Sequence, residues 1–505
     1  MYFSFMKNSR TSSLIVLISI FFFWGFVAAS NGILIPLFKE IFHLTQFKSQ
    51  LVDLSFYAAY FFGSIIYFVV SYYHDPMQKI GYKKGLIIGL LISAVGAIGF
   101  IPAANMQSYP MFLSCMFIIG LGFTLQQIVA NPYVIALGNP STGSHRLNLA
   151  GGINSFGTTI GPVLLSLALF GQISSSYAPP ADITLVKIPS MILCGMFLLS
   201  ATVLGFSSLP PITAQEKSEK GPDTLPHRQI GIGLFVIRKA TALQYPQLTL
   251  GMLAIFFYVG VEVTIQSNMG ALLKLPEIKG LSASQISPYI SLYWGSLMIG
   301  RWRGSVTVFN LRSTKRIIAM TIIPIVAFAV ICGVNYIRTN DISDYKFYVP
   351  YLILAIIAFF ISGEKPARTL ILFSSIAACM MLVGLFTTGN LALFSFISGG
   401  LFCSVMWPCI FSLAIAGLGK YTTQGSSLLI MMILGGALIP PLQGRIVDLY
   451  GAHVSYWVPV FCFAYLAFYG WKVRHVFKKQ GMDADSIVME EAPTDLPQVG
   501  EANTI

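Results

Sequence analysis

Runs of about 20 apolar residues recur along almost the whole chain, and a run of that length crosses a hydrocarbon core of roughly 30 Å as a helix. The runs fall near 12–38, 50–73, 84–104, 110–138, 147–171 and 188–207, then near 248–273, 285–300, 316–336, 347–362, 368–387, 390–417, 425–443 and 454–471. No water satisfies a bare peptide group inside lipid, so each run must close its own hydrogen bonds as a helix or join a closed barrel. Barrel strands alternate apolar and polar residues over about ten positions, which these runs do not. The spacing predicts an all-α membrane protein with six spans before a polar break and eight after it.

Composition agrees. Of 505 residues 55% are hydrophobic and 10% charged, too few charges for an ordinary soluble fold. The net charge of +12 comes from basic residues scattered in ones to threes between the runs, which orients helices and forms no nucleic-acid surface. With the N-terminus cytoplasmic, 23 Lys and Arg fall on the cytoplasmic side and 8 outside. The reading is therefore a multi-pass protein of the cell inner membrane with both termini cytoplasmic. Lys7 and Arg10 before the first run imitate a signal peptide, but the run continues to Phe38 and reads as an uncleaved span.

The expected division is a six-helix bundle over 1–207, a Pro- and Lys-rich cytoplasmic linker over 208–247, a second bundle over 248–472, and an acidic disordered tail over 473–505. All seven cysteines lie in apolar runs without metal-ligand spacing, so they read as small buried hydrophobes. No cofactor, metal or catalytic constellation is expected, and the chain does not read as an enzyme.

A solute path needs polar groups at membrane depth, where each is unfavourable unless paired or facing water. The first run carries Asn31-Gly32 before Pro36, and the fourth carries Gln126, Gln127, Asn131 and Pro132. Gln127 and Asn131 share a helical face and offer neutral donors and acceptors, as substrate ligands or as interhelical bonds. Asn154 and Ser155 lie among Gly151, Gly152, Gly157 and Gly161, a close-packing pattern. Glu262, with Gln266 one turn later, is the carboxylate placed deep in a run, which makes it the candidate ion-coupling group or else a structural carboxylate. Tyr293-Trp294 and Trp407-Pro408 set aromatic rings beside helix-perturbing residues, as sugar platforms or as packing. The expected substrate ligands are thus Asn31, Gln127, Asn131, Asn154, Gln266, Tyr293, Trp294 and Trp407. No basic side chain is expected at mid-membrane.

Gly32-Ile33-Leu34-Ile35-Pro36, Ala130-Asn131-Pro132-Tyr133, Arg146-Leu147-Asn148-Leu149-Ala150, Asn154-Ser155-Phe156-Gly157 and Trp407-Pro408-Cys409-Ile410-Phe411-Ser412-Leu413 together resemble the fucose-galactose-glucose:proton symporter branch of the major facilitator superfamily. The resemblance runs from the first span to about residue 470. It implies two six-helix bundles around a central cavity that opens alternately to either side. It also implies that about two spans are extra, an inserted pair within about 316–387. Proton-coupled members have an Asp where this chain has Gly32 and a Glu where it has Gln127, and neither replacement can titrate.

The resulting expectation is a monomeric secondary transporter importing a monosaccharide such as fucose, galactose or glucose, probing either side by alternating access and coupled to a proton or sodium ion. The alternatives are a transporter of the same fold for another solute and an uncoupled sugar facilitator.

Overall fold

The computed structural model describes residues 14–27, 38, 41–43, 51–137, 142–170, 183–207, 209, 230–232, 235–237, 241–281, 286–309, 311, 313–339, 341–363 and 365–484. Asn31, with Gly32 and Pro36, lies outside them, as do most of the linker and tail.

The first half is built from α1 (Leu14–Val27), α2 (Leu51–Tyr73), α3 (Pro76–Asn105), α4 (Tyr109–Ala136), α5 (Gly143–Phe170) and α6 (Lys187–Phe206). Asp75 caps α3, accepting from Met77 N at 3.0 Å and from the Tyr67 hydroxyl at 2.7 Å. Burial pushes its carboxyl up, while these two donors hold it down. The helix then breaks at Gly81, whose φ of 75° suits glycine, and re-forms as the long apolar span. Small residues let α3 lie close to α4: a Cβ on Gly89 would sit 2.7 Å from Gln126 Cγ and 2.9 Å from Gly122 O.

The second half runs α7 (Pro246–Leu273), α8 (Ser287–Ser305), α9 (Ser313–Thr339), α10 (Val349–Ser362), α11 (Pro366–Leu385), α12 (Gly389–Ile415), α13 (Gly419–Tyr450) and α14 (Trp457–Lys479). Among the described residues eleven helical segments are long and apolar enough to cross a membrane, α10 counted with the turn that leads into it as Ser343–Ser362. The others are α1, which is shorter, and α5 and α8, which carry more polar residues.

Packing identifies the extra pair. In the first half α3 lies against α4 and α6; in the second, α11 lies against α12 and α14. The third helix of the second bundle is therefore α11, and α9 with α10 is the insertion between the second and third positions. The protein is two six-helix bundles plus one inserted helix pair.

Gln480 donates to Gln247 Oε1 at 3.0 Å, so the end of α14 returns to the start of α7 and to the face where the linker enters. This is called the linker face below. Within the linker, Ile230–Ile232 and Phe235–Ile237 pair as a short antiparallel hairpin, Ile230 opposite Ile237.

If α9 and α10 both cross the membrane, their connection lies opposite the linker face. A single cysteine at Asp341 should then react with an impermeant maleimide from one side of the membrane and one at Lys420 from the other. Labelling of both from one side would show that the inserted pair does not span.

Candidate functional site

Glu262 stands near the middle of α7, and its polar neighbours come from α7 and α8 of the second half. Arg301 Nη2 lies 3.3 Å from Glu262 Oε1, with 12% and 13% of the two side chains exposed. The Tyr258 hydroxyl, one turn before Glu262, donates to the same oxygen at 3.0 Å. Tyr293 on α8 donates to the Glu262 backbone oxygen at 2.7 Å.

Arg301 is the hub. A guanidinium presents five N–H donors, and burying it requires that they be satisfied. Nε donates to Ser404 O at 3.3 Å, Nη1 to Ser155 Oγ at 2.7 Å and to Gly151 O at 3.4 Å, and Nη2 to Glu262 and, at 3.4 Å, to Tyr258. Ser155 and Gly151 belong to α5 of the first half; Ser404, Glu262 and Tyr258 belong to the second. One side chain thus fastens the two bundles.

Local sequence explains why these acceptors are free. In an α-helix the Ser404 carbonyl would accept from the N–H of residue 408, but Pro408 has none. Helix α12 breaks between Cys403 and Met406, and Arg301 takes the released carbonyl. The same device recurs in the first half: Pro132 leaves Ile128 O without its helical donor, and Ser426 of the other half donates to it at 2.8 Å.

Further bonds join the halves toward the linker face. Tyr82 and Thr423 hydroxyls lie 3.2 Å apart, His145 Nδ1 is 2.8 Å from Gly304 O, and Trp302 Nε1 donates to Gly152 O at 3.3 Å. A Cβ on Gly304 would meet Asn148 Nδ2 at 2.7 Å and one on Gly152 would meet Trp302 Cδ1 at 2.8 Å. The halves are drawn together at this face.

The residues singled out in sequence separate into groups. Trp407 packs 6.0 Å from the Tyr258 ring and stacks on Phe411, so Trp407, Tyr258, Tyr293 and Glu262 form one cluster with Arg301. Trp294 is half-buried with an edge-on contact to Tyr293, and Gln266 is half-buried one turn beyond Glu262. In the first half Gln127 is half-buried and donates to the Tyr60 hydroxyl at 2.9 Å, whereas Asn131 is buried and donates to the Gln127 backbone oxygen at 2.9 Å. Asn154 ties α5 to α1 through Phe21 O at 3.0 Å.

The expectation of no mid-membrane base is overturned. Arg301 follows the apolar run at 285–300 and reads as a surface residue, but α8 continues through Ser305 and carries it in beside Glu262. The available signal was Glu262 itself, since a buried carboxylate requires a cation or several donors.

The profile of the Major Facilitator Superfamily matches residues 13–363. The glucose/galactose transporter of Brucella abortus is 32% identical over 451 residues, covering 89% of this chain and 91% of that protein. The L-fucose-proton symporter of Escherichia coli is 27% identical over 464 residues, covering 89% and 90%. The crystal structure of FucP, a transporter of this superfamily in the outward conformation, superposes with a TM-score of 0.68 at 26% identity over 92% of this chain and 99% of that one.

Breaking the ion pair leaves a buried guanidinium without its counter-charge, an effect of about 3–5 kcal/mol. Glu262→Gln should lower the thermal midpoint of the purified protein by several degrees, and adding Arg301→Gln should restore much of the loss. Additive losses in the double variant would show that the two groups do not stabilise each other.

Proposed function

Because the chain belongs to the Major Facilitator Superfamily, we propose that it moves a neutral monosaccharide of the glucose, galactose or fucose type by alternating access, coupled to a cation through Glu262. The observation that carries this is the cluster at the seam: the Trp407 and Tyr258 rings beside the Glu262–Arg301 pair. Pyranose C–H faces pack on aromatic rings, while sugar hydroxyls donate to carboxylates and accept from guanidinium N–H groups. The named relatives support the sugar class.

In this reading the cytoplasm borders the linker face, as the basic connections favour. The bonds through Arg301, Tyr82, His145 and Ser426 close that face, and the cavity is offered to the outside. This agrees with the likeness to FucP in its outward conformation. The seam is charge-neutral while Glu262 is ionised, which suits a neutral cargo. When α8 leaves α5, Arg301 loses Ser155 and Gly151, and a sugar that takes its donors away from Glu262 leaves the carboxylate able to bind a proton or sodium ion. Gln127, Asn154, Gln266, Trp294 and Asn31 are proposed to complete the sugar contacts, while Asn131 and Tyr293, buried and bonded to backbone oxygens, support them; the protein would act as a monomer in the inner membrane with both termini cytoplasmic.

A second reading is an uncoupled facilitator. It is favoured by the in-half partner that already neutralises Glu262 and by the non-titrating Gly32 and Gln127.

Reconstituted liposomes given a labelled monosaccharide panel under a proton gradient, a sodium gradient and neither separate the readings. Gradient-driven accumulation is expected, with Glu262→Gln abolishing it while counterflow exchange persists. Equal uptake with and without gradients would select the facilitator, and no flux of any sugar through folded protein would discard the cargo class. Gly304→Val places methyl groups against Asn148 across the seam and should hold the linker face apart, reducing net uptake at least tenfold. Unchanged uptake would show that this face need not close as seen here.

A further inference from the structure

The inserted pair is stitched to α8 along its length. Near the face opposite the linker, Asp344 in the turn between α9 and α10 lies 3.0 Å from Lys279 Nζ and accepts from the Tyr289 hydroxyl at 2.5 Å. Lys279 also donates to Asn390 Oδ1 at 2.9 Å, so this turn is tied through Lys279 to the connection before α8 and to the first turn of α12. Deeper in, Tyr348 and Ser296 hydroxyls lie 2.8 Å apart, and Tyr351 and Ser395 hydroxyls 2.9 Å apart. A Cβ on Gly295 would sit 2.8 Å from Ile331, so α9 lies directly on the α8 backbone.

Near the linker face the anchor is a second arginine. Arg303 is 3% exposed, with its guanidinium 4.4 Å from the Phe359 ring centroid and 5.6 Å from that of Phe360, and it donates to Met320 Sδ at 3.6 Å. Phe359 and Phe360 belong to α10 and Met320 to α9. Two residues subtend about 200° on a helix, so Arg301 and Arg303 leave α8 on opposite sides. Arg301 faces the seam between the halves, and Arg303 faces the insertion. Cation–π contact strengthens when it is desolvated, which suits a cation that is turned away from water.

We propose that α9 and α10 are a brace on α8: they fix this helix to the second half, so that Arg301, Trp302 and Gly304 part from α5 with that half as one body. The brace rests on the alternating-access reading for its consequence, but its mechanical content concerns only α8 and its own half. Without it α8 would be held chiefly by α12 and by α5 of the opposite half, and could stay with α5 when the halves separate. No residue of the brace is among the proposed sugar contacts, so weakening it should slow the cycle without changing sugar recognition.

The test uses the full chain in lipid nanodiscs, with Cys332 and Cys379 replaced by Ala and spin labels in two pairs. One pair, at Phe309 and Lys420, reads α8 against its own half. The other, at Lys84 and Phe309, reads across the seam. Asp344→Asn with Phe359→Ala should broaden the 309–420 distance distribution about twofold and lower maximal transport several-fold, with KM within twofold of the parent. Asp344→Asn alone should give a smaller change in the same direction, and it carries the test if the double variant does not fold. An unchanged 309–420 distribution in folded variants overturns the brace, as does a raised KM with unaltered maximal rate. Failure of alternating access would show separately, as a single 84–309 distance in every condition.

Discussion

A buried guanidinium must have its N–H groups met, and the seam of this protein is organised around that requirement at Arg301. Five acceptors meet it from α5, α7 and α12, each supplied by a different local feature. Glu262 supplies the counter-charge and Tyr258 lies one helical turn away on the same face. Ser155 adds a hydroxyl, Gly151 exposes a carbonyl no side chain covers, and Pro408 releases the carbonyl of Ser404. A bilayer offers no replacement for any of these partners, so α8 can sit at mid-membrane only where all five converge.

Proline does related work in both halves. Each of Pro132 and Pro408 removes one N–H from a helix and leaves a carbonyl four residues earlier to be satisfied from elsewhere. The Ile128 carbonyl is met by Ser426 across the seam, and the Ser404 carbonyl by Arg301, which itself crosses it. The bonds that hold the linker face shut are thus mostly made on carbonyl oxygens, by one hydroxyl, an imidazole, an indole and one guanidinium. Water can replace such partners when a cavity opens, since net hydrogen-bond contributions are about 1 kcal/mol each, somewhat more for charged donors. A closure of this kind can be reversed, as a transport cycle requires.

Much of the fold was legible because hydrophobic run length is a direct consequence of membrane thickness. The fourteen runs and the central break follow from it, and the family resemblance implied that about two of the runs are extra. Which of three runs was extra was not legible, because α9, α10 and α11 are alike in apolarity; only packing against α12 and α14 distinguishes α11. At the site, Glu262, Tyr293 and Trp407 were found because a carboxylate, or a ring near a glycine or proline, stands out in an apolar run. Arg301 was missed because helix ends are not marked by hydropathy: an arginine just past an apolar run resembles an interfacial anchor unless its partner is known. Asn131 shows the converse, a polar residue at depth whose amide bonds its own helix.

The position of Glu262 bears on how coupling can work. It sits in the second half and is neutralised by a residue of the same half, so the pair itself need not break as the bundles rock. What changes is the share of Arg301 that α5 holds. With α5 in contact, Arg301 is divided between Ser155, Gly151 and the carboxylate; with α5 gone, it can turn fully to Glu262 or to a bound solute. A hydroxylated solute that accepts from Arg301 therefore competes for the same donors as α5 and the carboxylate. On the proposed reading, cargo, seam and Glu262 are linked through one side chain, and a cation would be needed at Glu262 only in the state where solute has taken Arg301 from it.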